Sequence, residues 1–300
     1  MAVSYVSKIS ATGDSASQTI STSLTTTSGV TCLVVFGVHA STSDIDSSSC
    51  TFNDVAMTKF FANNKPQNTG WQVGYYLLNP YIGTATLTLT WESAVSYRIL
   101  TGLTFSGVGA VGNITTASMD KSTSVTLNYG TATYNGLAVA GLSTYNANPS
   151  GTPTGWTQIH SISTSYSKEN DYYKSVSASQ SLSVTFSFES EESGSVGGII
   201  LYPPAPSAFN KSSPTNGVID IDPKDITLTW GASSNLTRYE YAYGTSSTPS
   251  NWTSNSTSTS VSLPELLEGA KYYWHVRAIG EGGTTYSNGS SSAYWNFTTE

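Results

Sequence analysis

Catalysis needs ionisable or nucleophilic side chains at fixed spacings, and this chain of 300 residues supplies few of them: 12 Lys and Arg, 19 Asp and Glu, three His and two Cys. His39, His160 and His275 stand far apart, and no HExxH, CxxC, GxSxG or glycine-rich phosphate loop is present. His160 follows Trp156 within a strand pattern, and His275 alternates outward in its strand. Serine, threonine and tyrosine are so abundant that a Ser-His-Asp triad can be drawn almost anywhere, which makes any one drawing uninformative. Glu189, Glu191 and Glu192 offer the paired carboxylates that glycoside hydrolysis uses. Their crowding on one polar turn reads more simply as a solvated charge run. The expectation is a protein that is no enzyme and carries no cofactor.

Binding chemistry has better candidates. Asp44 with Asp46, and Asp220 with Asp222 and Asp225, are acidic clusters. Calcium takes six to eight oxygens, and neither cluster completes a loop signature. Aspartate also stabilises turns through its own backbone, so both readings stand, with the metal set expected to be none. Aromatics are the stronger lead, since sugars stack their C–H faces on Trp or Tyr. Trp71, Trp91, Trp230 and Trp274 fall in strand patterns and are assigned to cores. Trp156 follows GTPTG, Tyr166, Tyr172 and Tyr173 lie in SYSKENDYYK, and Trp252 lies in PSNWTSN. These five form the candidate ligand-binding set, for surface glycans or protein partners. The competing reading makes them loop anchors over a core edge.

Composition narrows the partners. Charged residues make up 10% of the chain, against about 25% in an ordinary globular protein. The net charge is −7 and no Lys/Arg cluster occurs, so no nucleic acid is expected. No apolar run reaches the roughly 20 residues that span a bilayer, so no membrane insertion is expected. The opening MAVSYVSKISATGDS lacks a signal-peptide pattern. An extracellular setting then requires a leader removed from this chain, or another route such as release inside a virus particle. Sequons at Asn113, Asn210, Asn235, Asn251, Asn255, Asn288 and Asn296 are compatible with a glycoprotein. The Ser/Thr content makes nearly that many by chance.

The elements that must position these residues are strands. Val30–Val38 is a continuous apolar run, as for a strand buried on both faces. In Thr84–Trp91, Ala85, Leu87, Leu89 and Trp91 point one way and four threonines the other. Further short strands are expected over Cys50–Thr58, Trp71–Leu78, Tyr97–Val108, Val125–Asn128, Asn135–Leu142, Trp156–Ile162, Leu182–Phe188 and Val196–Tyr202. No helical period competes, so the class is all-β. Cys32 and Cys50 open two of these strands; paired as a simple hairpin, they stand too far apart to bond. Placement in different sheets would remove that argument.

Two resemblances follow. The succession CLVVFGV, TFNDVAMTK, VGYYLLNPYIGTATLTLTW, YRILTGLTFSGV and SVGGIILYPP is similar to a jelly-roll-like β-sandwich module of bacterial secreted and phage structural proteins. It covers nearly all of residues 3–203, with Asn53-Asp54 where that module often has paired glycines. The resemblance implies a fold and a setting, and no catalytic residues. LLEGAKYYWHVRA (266–278) resembles the tyrosine corner of a bacterial-type fibronectin type III domain, with DITLTW, RYEYAY and WNFT as further strands. Residues 1–203 are therefore read as a jelly-roll-like sandwich, 204–208 as a proline-rich linker and 209–300 as an immunoglobulin-like sandwich. The expected function is a structural or interaction protein of a virion surface (capsid decoration, tail or fibre), with other virion or surface proteins, or copies of itself, as partners. A secreted or cell-surface carbohydrate-binding adhesin is the alternative.

Overall fold

The computed structural model describes residues 2–40, 48–64 and 71–300. Asp44 and Asp46 lie outside the described residues, as does most of the NNKPQNTG turn. The chain divides into two compact units, 2–203 and 204–300. Among the described residues no helix is long and apolar enough to cross a membrane.

The first unit begins with β1 (Ser4–Gly13), β2 (Ser17–Thr26), β3 (Val30–His39), β4 (Ser49–Phe52), β5 (Val55–Ala56), β6 (Thr58–Asn64), β7 (Trp71–Leu78), β8 (Gly83–Val95) and β9 (Arg98–Ser106). These strands nest: β1 pairs with β9, β2 with β8, β3 with β7, and β4 with β5. The result is two sheets, ordered β1-β9-β3-β7-β6 and β2-β8-β4-β5. Asn53 and Asp54 join β4 to β5 with φ of 50° and 59°. A two-residue hairpin turn of this kind needs left-handed backbone at both positions, which Asn and Asp tolerate better than other side-chain-bearing residues. That is why they stand where paired glycines were noted.

The chain continues through β10 (Ala110–Thr131), β11 (Gly136–Thr144), β12 (Thr157–Ser163), β13 (Lys168–Val176) and β14 (Ser181–Tyr202). They form one antiparallel sheet ordered β10-β14-β11-β13-β12. Residues 182–188 and 196–202, expected as separate strands, belong to the single strand β14. The register between β10 and β14 shifts around Met119–Ser124. Beyond the shift the paired strands fold back, so that Val125, Leu127, Val184 and Phe186 pack with Ala138, Ala140 and Tyr172.

The unit is therefore layered more deeply than the one sandwich expected for residues 1–203. Leu33 and Val35 of β3 pack with Leu87, Leu89 and Trp91 of β8. The opposite face of β3, through Cys32, Val34 and Phe36, packs with Leu137, Val139, Ile199 and Leu201. Burial on both faces accounts for the unbroken apolar run of β3, while β8 covers only one core and keeps its threonines outward. Gly197 and Gly198 sit where layers press from both sides. A Cβ on Gly197 would meet the Phe61 ring at 2.2 Å, and one on Gly198 the Tyr129 hydroxyl at 2.2 Å. Cys32 and Cys50 are free and buried. They lie in different sheets and in different cores, so sheet placement, rather than hairpin length, keeps them apart. Burial pushes both thiols up to about 12.

A polar seam crosses the interior of this unit. Gln72 donates to both carboxylate oxygens of Glu169 at 3.0 and 3.1 Å and to the Gly141 carbonyl at 2.9 Å. Ser195 donates to Gln72 at 3.2 Å. Asp171, two residues along β13 from Glu169, is fully buried.

The second unit contains β15 (Lys211–Ser213), β16 (Val218–Ile221), β17 (Thr227–Trp230), β18 (Arg238–Gly244), β19 (Thr253–Ser254), β20 (Ser260–Ser262), β21 (Lys271–Gly280), β22 (Gly283–Tyr286) and β23 (Trp295–Thr299). A sheet β15-β17-β20 faces a sheet β16-β23-β21-β18-β19, with β22 paired to β21. Leu228, Trp230, Tyr272, Trp274, Val276 and Phe297 share the core between them. The Tyr272 hydroxyl accepts the Leu267 N–H at 3.1 Å, and Gly269 between them has φ of 63°. This is the tyrosine-corner geometry.

Candidate functional site

The five aromatics of the candidate set do not converge. Tyr172 is in β13, is 1% exposed and packs its ring 5.0 Å from Phe186. Trp156 is 7% exposed and stacks on Tyr129 with ring centres 6.0 Å apart. Tyr173, also in β13, stacks on Tyr5 at 5.8 Å. Trp252 carries the Arg277 guanidinium over its ring at 4.2 Å, and Arg277 in turn bonds Glu240 at 2.7 Å. Tyr172 and Tyr173 alternate within a strand instead of lying in a loop, which corrects the expectation drawn from the polar SYSKENDYYK segment. Tyr172 is thereby a core residue. Tyr166 alone of the five is exposed, on the turn closed by Ser167 N–H to Thr164 Oγ1 at 3.1 Å.

Tyr166 gathers two partners that sequence reading missed. Its ring lies 4.6 Å from Tyr97 and 5.9 Å from Tyr145. The three tyrosines come from three turns, β8–β9, β11–β12 and β12–β13, so no local spacing announces them. Tyr97 takes a φ of 53°.

Tyr145 also opens the loop of residues 145–156, which several hydrogen bonds anchor. Glu192 is 4% exposed. Its carboxylate accepts the N–H groups of Tyr145 (3.2 Å), Asn146 (3.1 Å), Ala147 (2.7 Å) and Ser193 (3.0 Å). Thr144 Oγ1 donates to the Ala147 carbonyl at 2.6 Å, and Ser150 N–H to the Ser187 carbonyl at 2.8 Å. The reading of Glu189–Glu192 as a solvated run holds for the exposed Glu189 and Glu191 and is corrected for Glu192. The register shift in the β10–β14 pair re-aims that one side chain inward, as bulges do.

This loop is flanked by two clefts. The first, about 420 Å³, lies between Ser150–Trp156 and the β14 residues Ser183, Val184, Thr185 and Ser187. The second, about 230 Å³, is lined by the amides Asn148, Gln158 and Asn170 together with Tyr172. Gly151 and Thr152 line both. Gln158 Nε2 donates to Asn170 Oδ1 at 3.1 Å, and Asn170 Nδ2 to Asn148 Oδ1 at 3.1 Å. Neither cleft has a charged lining residue.

Burial raises the Tyr172 phenol at the second cleft, and the strongly perturbed carboxyl, amine and imidazole groups lie elsewhere. Burial raises Asp171 to about 7, against the lowering influence of Thr101, Lys8 and Glu169. In the second unit, burial lowers Lys211 to about 7. Its ammonium sits over Trp274 and Trp295 at 5.7 and 5.4 Å, 3.1 Å from His275 Nδ1, and also bonds the Ala293 carbonyl. His275 is buried, which corrects the expectation that it points to solvent. The outward face of β21 at that point is covered by Ser287, Ser290 and Tyr294. Burial, with Lys211 beside it, lowers His275 to about 4.

Asp222 Oδ1 accepts the Lys224 N–H at 2.9 Å, the self-turning geometry of aspartate. Among the described residues no group of three His, Cys, Asp or Glu side chains is placed to hold a metal ion.

The fibronectin type III family matches residues 212–293, and a domain of that family is present there. Among solved structures, the chain is similar to an Fn3-like protein from Clostridium thermocellum, 24% identical, with 28% of this chain and 88% of that one covered and a TM-score of 0.23. It is similar to a two-domain fibronectin type III segment of chicken tenascin, 14% identical, covering 61% and 97% with a TM-score of 0.25. It is also similar to the FN1–FN3 domains of chicken CNTN1, 10% identical, covering 100% and 97% with a TM-score of 0.27. No curated protein matches the chain.

Proposed function

We propose that this chain is a non-enzymatic structural and recognition protein of an extracellular surface, and specifically a virion component such as a capsid decoration, tail or fibre protein. The observation that carries the reading is the nested pairing of β1 to β9 into sheets β1-β9-β3-β7-β6 and β2-β8-β4-β5. With β6 as an additional edge strand, that order supports a jelly-roll reading, an architecture used by viral capsid domains and by lectins. Architecture alone does not set activity, and two further features support the same reading. Asp171 and Lys211, whose ionisation is shifted toward neutrality, are buried and line neither of these two clefts. The first unit offers a partner an uncharged pair of clefts, the tyrosine cluster around Tyr166 and an outward lattice of hydroxyls, in which Thr25 bonds Thr84 at 2.8 Å.

A carbohydrate-binding adhesin with a fibronectin type III spacer is the second reading, favoured by the amide- and hydroxyl-lined clefts beside Trp156. Mass spectrometry of purified particles and of cell-surface fractions separates the two. Recovery in particles at a constant copy number supports the virion role, whereas recovery only in the cell-surface fraction supports the adhesin. Confinement to the soluble cell interior contradicts both.

A further inference from the structure

We propose that the two clefts flanking residues 149–154 form one continuous subsite for a neutral oligosaccharide. The proposal rests on the recognition role above and names the ligand class of that site. The larger cleft, about 420 Å³, is within the roughly 300–1,000 Å³ range of small-molecule sites. Gly151 and Thr152 line both clefts, so a ligand longer than one ring would reach from one to the other across the loop at these two residues.

The lining selects the chemistry. Ionic ligands require a counter-charge, and neither cleft supplies one. Lys174, whose ammonium reaches over Gly155, lines neither cleft. Ser183, Thr185 and Ser187 alternate outward along β14, an exposed row of hydroxyls repeating every second residue, about 6.6–6.8 Å apart. Across from them stand the hydroxyls of Ser150, Thr152 and Thr154. In the second cleft the amide chain Gln158–Asn170–Asn148 uses only part of its capacity internally. Gln158 Oε1 and Asn148 Nδ2 remain for a ligand. Walls that both donate and accept suit sugar hydroxyls, which also do both. Pro153 and the 7% of Trp156 left uncovered add a little apolar surface; Tyr129 stacks on Trp156. Three loop N–H groups held by Glu192 fix the start of the loop in advance, and a preformed loop loses less freedom on binding.

The test is calorimetric titration of the full chain with cellohexaose, maltohexaose, mannohexaose and chitohexaose, with hexagalacturonate as the acidic counterpart. A double variant, Thr152→Ala with Gln158→Ala, removes two exposed polar side chains of the clefts, and its unfolding midpoint is measured alongside so that binding is compared on folded protein. Binding of at least one neutral hexasaccharide, weakened tenfold or more in that variant and unchanged in Thr257→Ala, an exposed position of the second unit, is the expected result. Absence of binding by all four at millimolar concentration overturns the proposal. So does equal or tighter binding of hexagalacturonate, or affinity untouched by the double variant. The location experiment fails independently: a chain found on particles that binds no saccharide defeats this subsite alone, and a saccharide-binding chain absent from every surface fraction defeats the surface role alone.

Discussion

The carboxylate of Glu192 accepts the backbone N–H of Ala147 at 2.7 Å, tying strand β14 to the loop that separates the two clefts. The same carboxylate takes the N–H of Tyr145, whose ring belongs to the cluster with Tyr166 and Tyr97. One buried acid thus holds both candidate recognition surfaces in shape. Glu192→Ala leaves these donors without an acceptor and is expected to destabilise the first unit by roughly 2–3 kcal/mol, the worth of a hydrogen bond to a charged group. Hydrogen exchange should rise first in residues 145–156. Glu189→Ala and Glu191→Ala, at exposed positions, should stay within about 0.5 kcal/mol of wild type in urea unfolding.

Tyr272 couples a hydrogen bond to a packed ring. Its hydroxyl holds Leu267, and its ring stacks on Phe297 at 5.7 Å. Tyr272→Phe removes the bond alone and should cost about 1 kcal/mol. Tyr272→Ala also empties a core position and should cost about 3–5 kcal/mol. Denaturant unfolding followed within residues 204–300 checks both values. An alanine variant as stable as wild type would remove the corner from the account.

Asp171 makes the first unit acid-favoring over a defined window. Its carboxyl, facing Lys8 of β1, Thr101 of β9 and Glu169 of its own strand, is held up to about 7 by burial. Between 3.8, the ordinary value, and about 7, the folded state keeps a proton that the unfolded chain releases. The contribution of this group is therefore full below that window and is lost as pH rises through it. Unfolding free energies measured from pH 4 to 8 should show this decline, and Asp171→Asn should flatten it.

Lys211 gives the second unit the opposite slope. Burial lowers it from 10.5 to about 7, so between those values the unfolded state binds the extra proton. Stability of residues 204–300 should increase as pH rises from 7 toward 10. Lys211→Met keeps the apolar stem, removes the buried amine, and should abolish the rise in a pH series of unfolding curves.

Much of the fold was legible wherever a pattern is local. Thr84–Trp91 announces a half-buried strand because its two faces alternate, and β3 announces burial on both faces because its apolar run never breaks. Leu266, Tyr272 and Trp274 announce the second unit because the corner demands a turn at a fixed distance from the tyrosine. The site was less legible, because its groups are set by register and by contacts remote in sequence. Glu192 turns inward where β14 shifts register against β10, which its acidic neighbours conceal. His275 is buried by a segment some fifteen residues downstream, including Ser290, whose carbonyl it contacts at 2.9 Å. Tyr97 and Tyr145 join Tyr166 only because three turns meet. Tyr172 and Tyr173 lie among polar residues, yet β13 pairs with β11 on one side and β12 on the other, and that interior position buries Tyr172.

The central claim is that recognition occurs through the loop and clefts of the first unit. Hydrogen exchange of the full chain, free and bound to the particle or cell surface that retains it, tests this most directly. The account predicts protection concentrated in residues 145–158 and 183–187, with residues 204–300 unchanged. Protection confined to residues 204–300, with the loop exchanging as in the free protein, would contradict it.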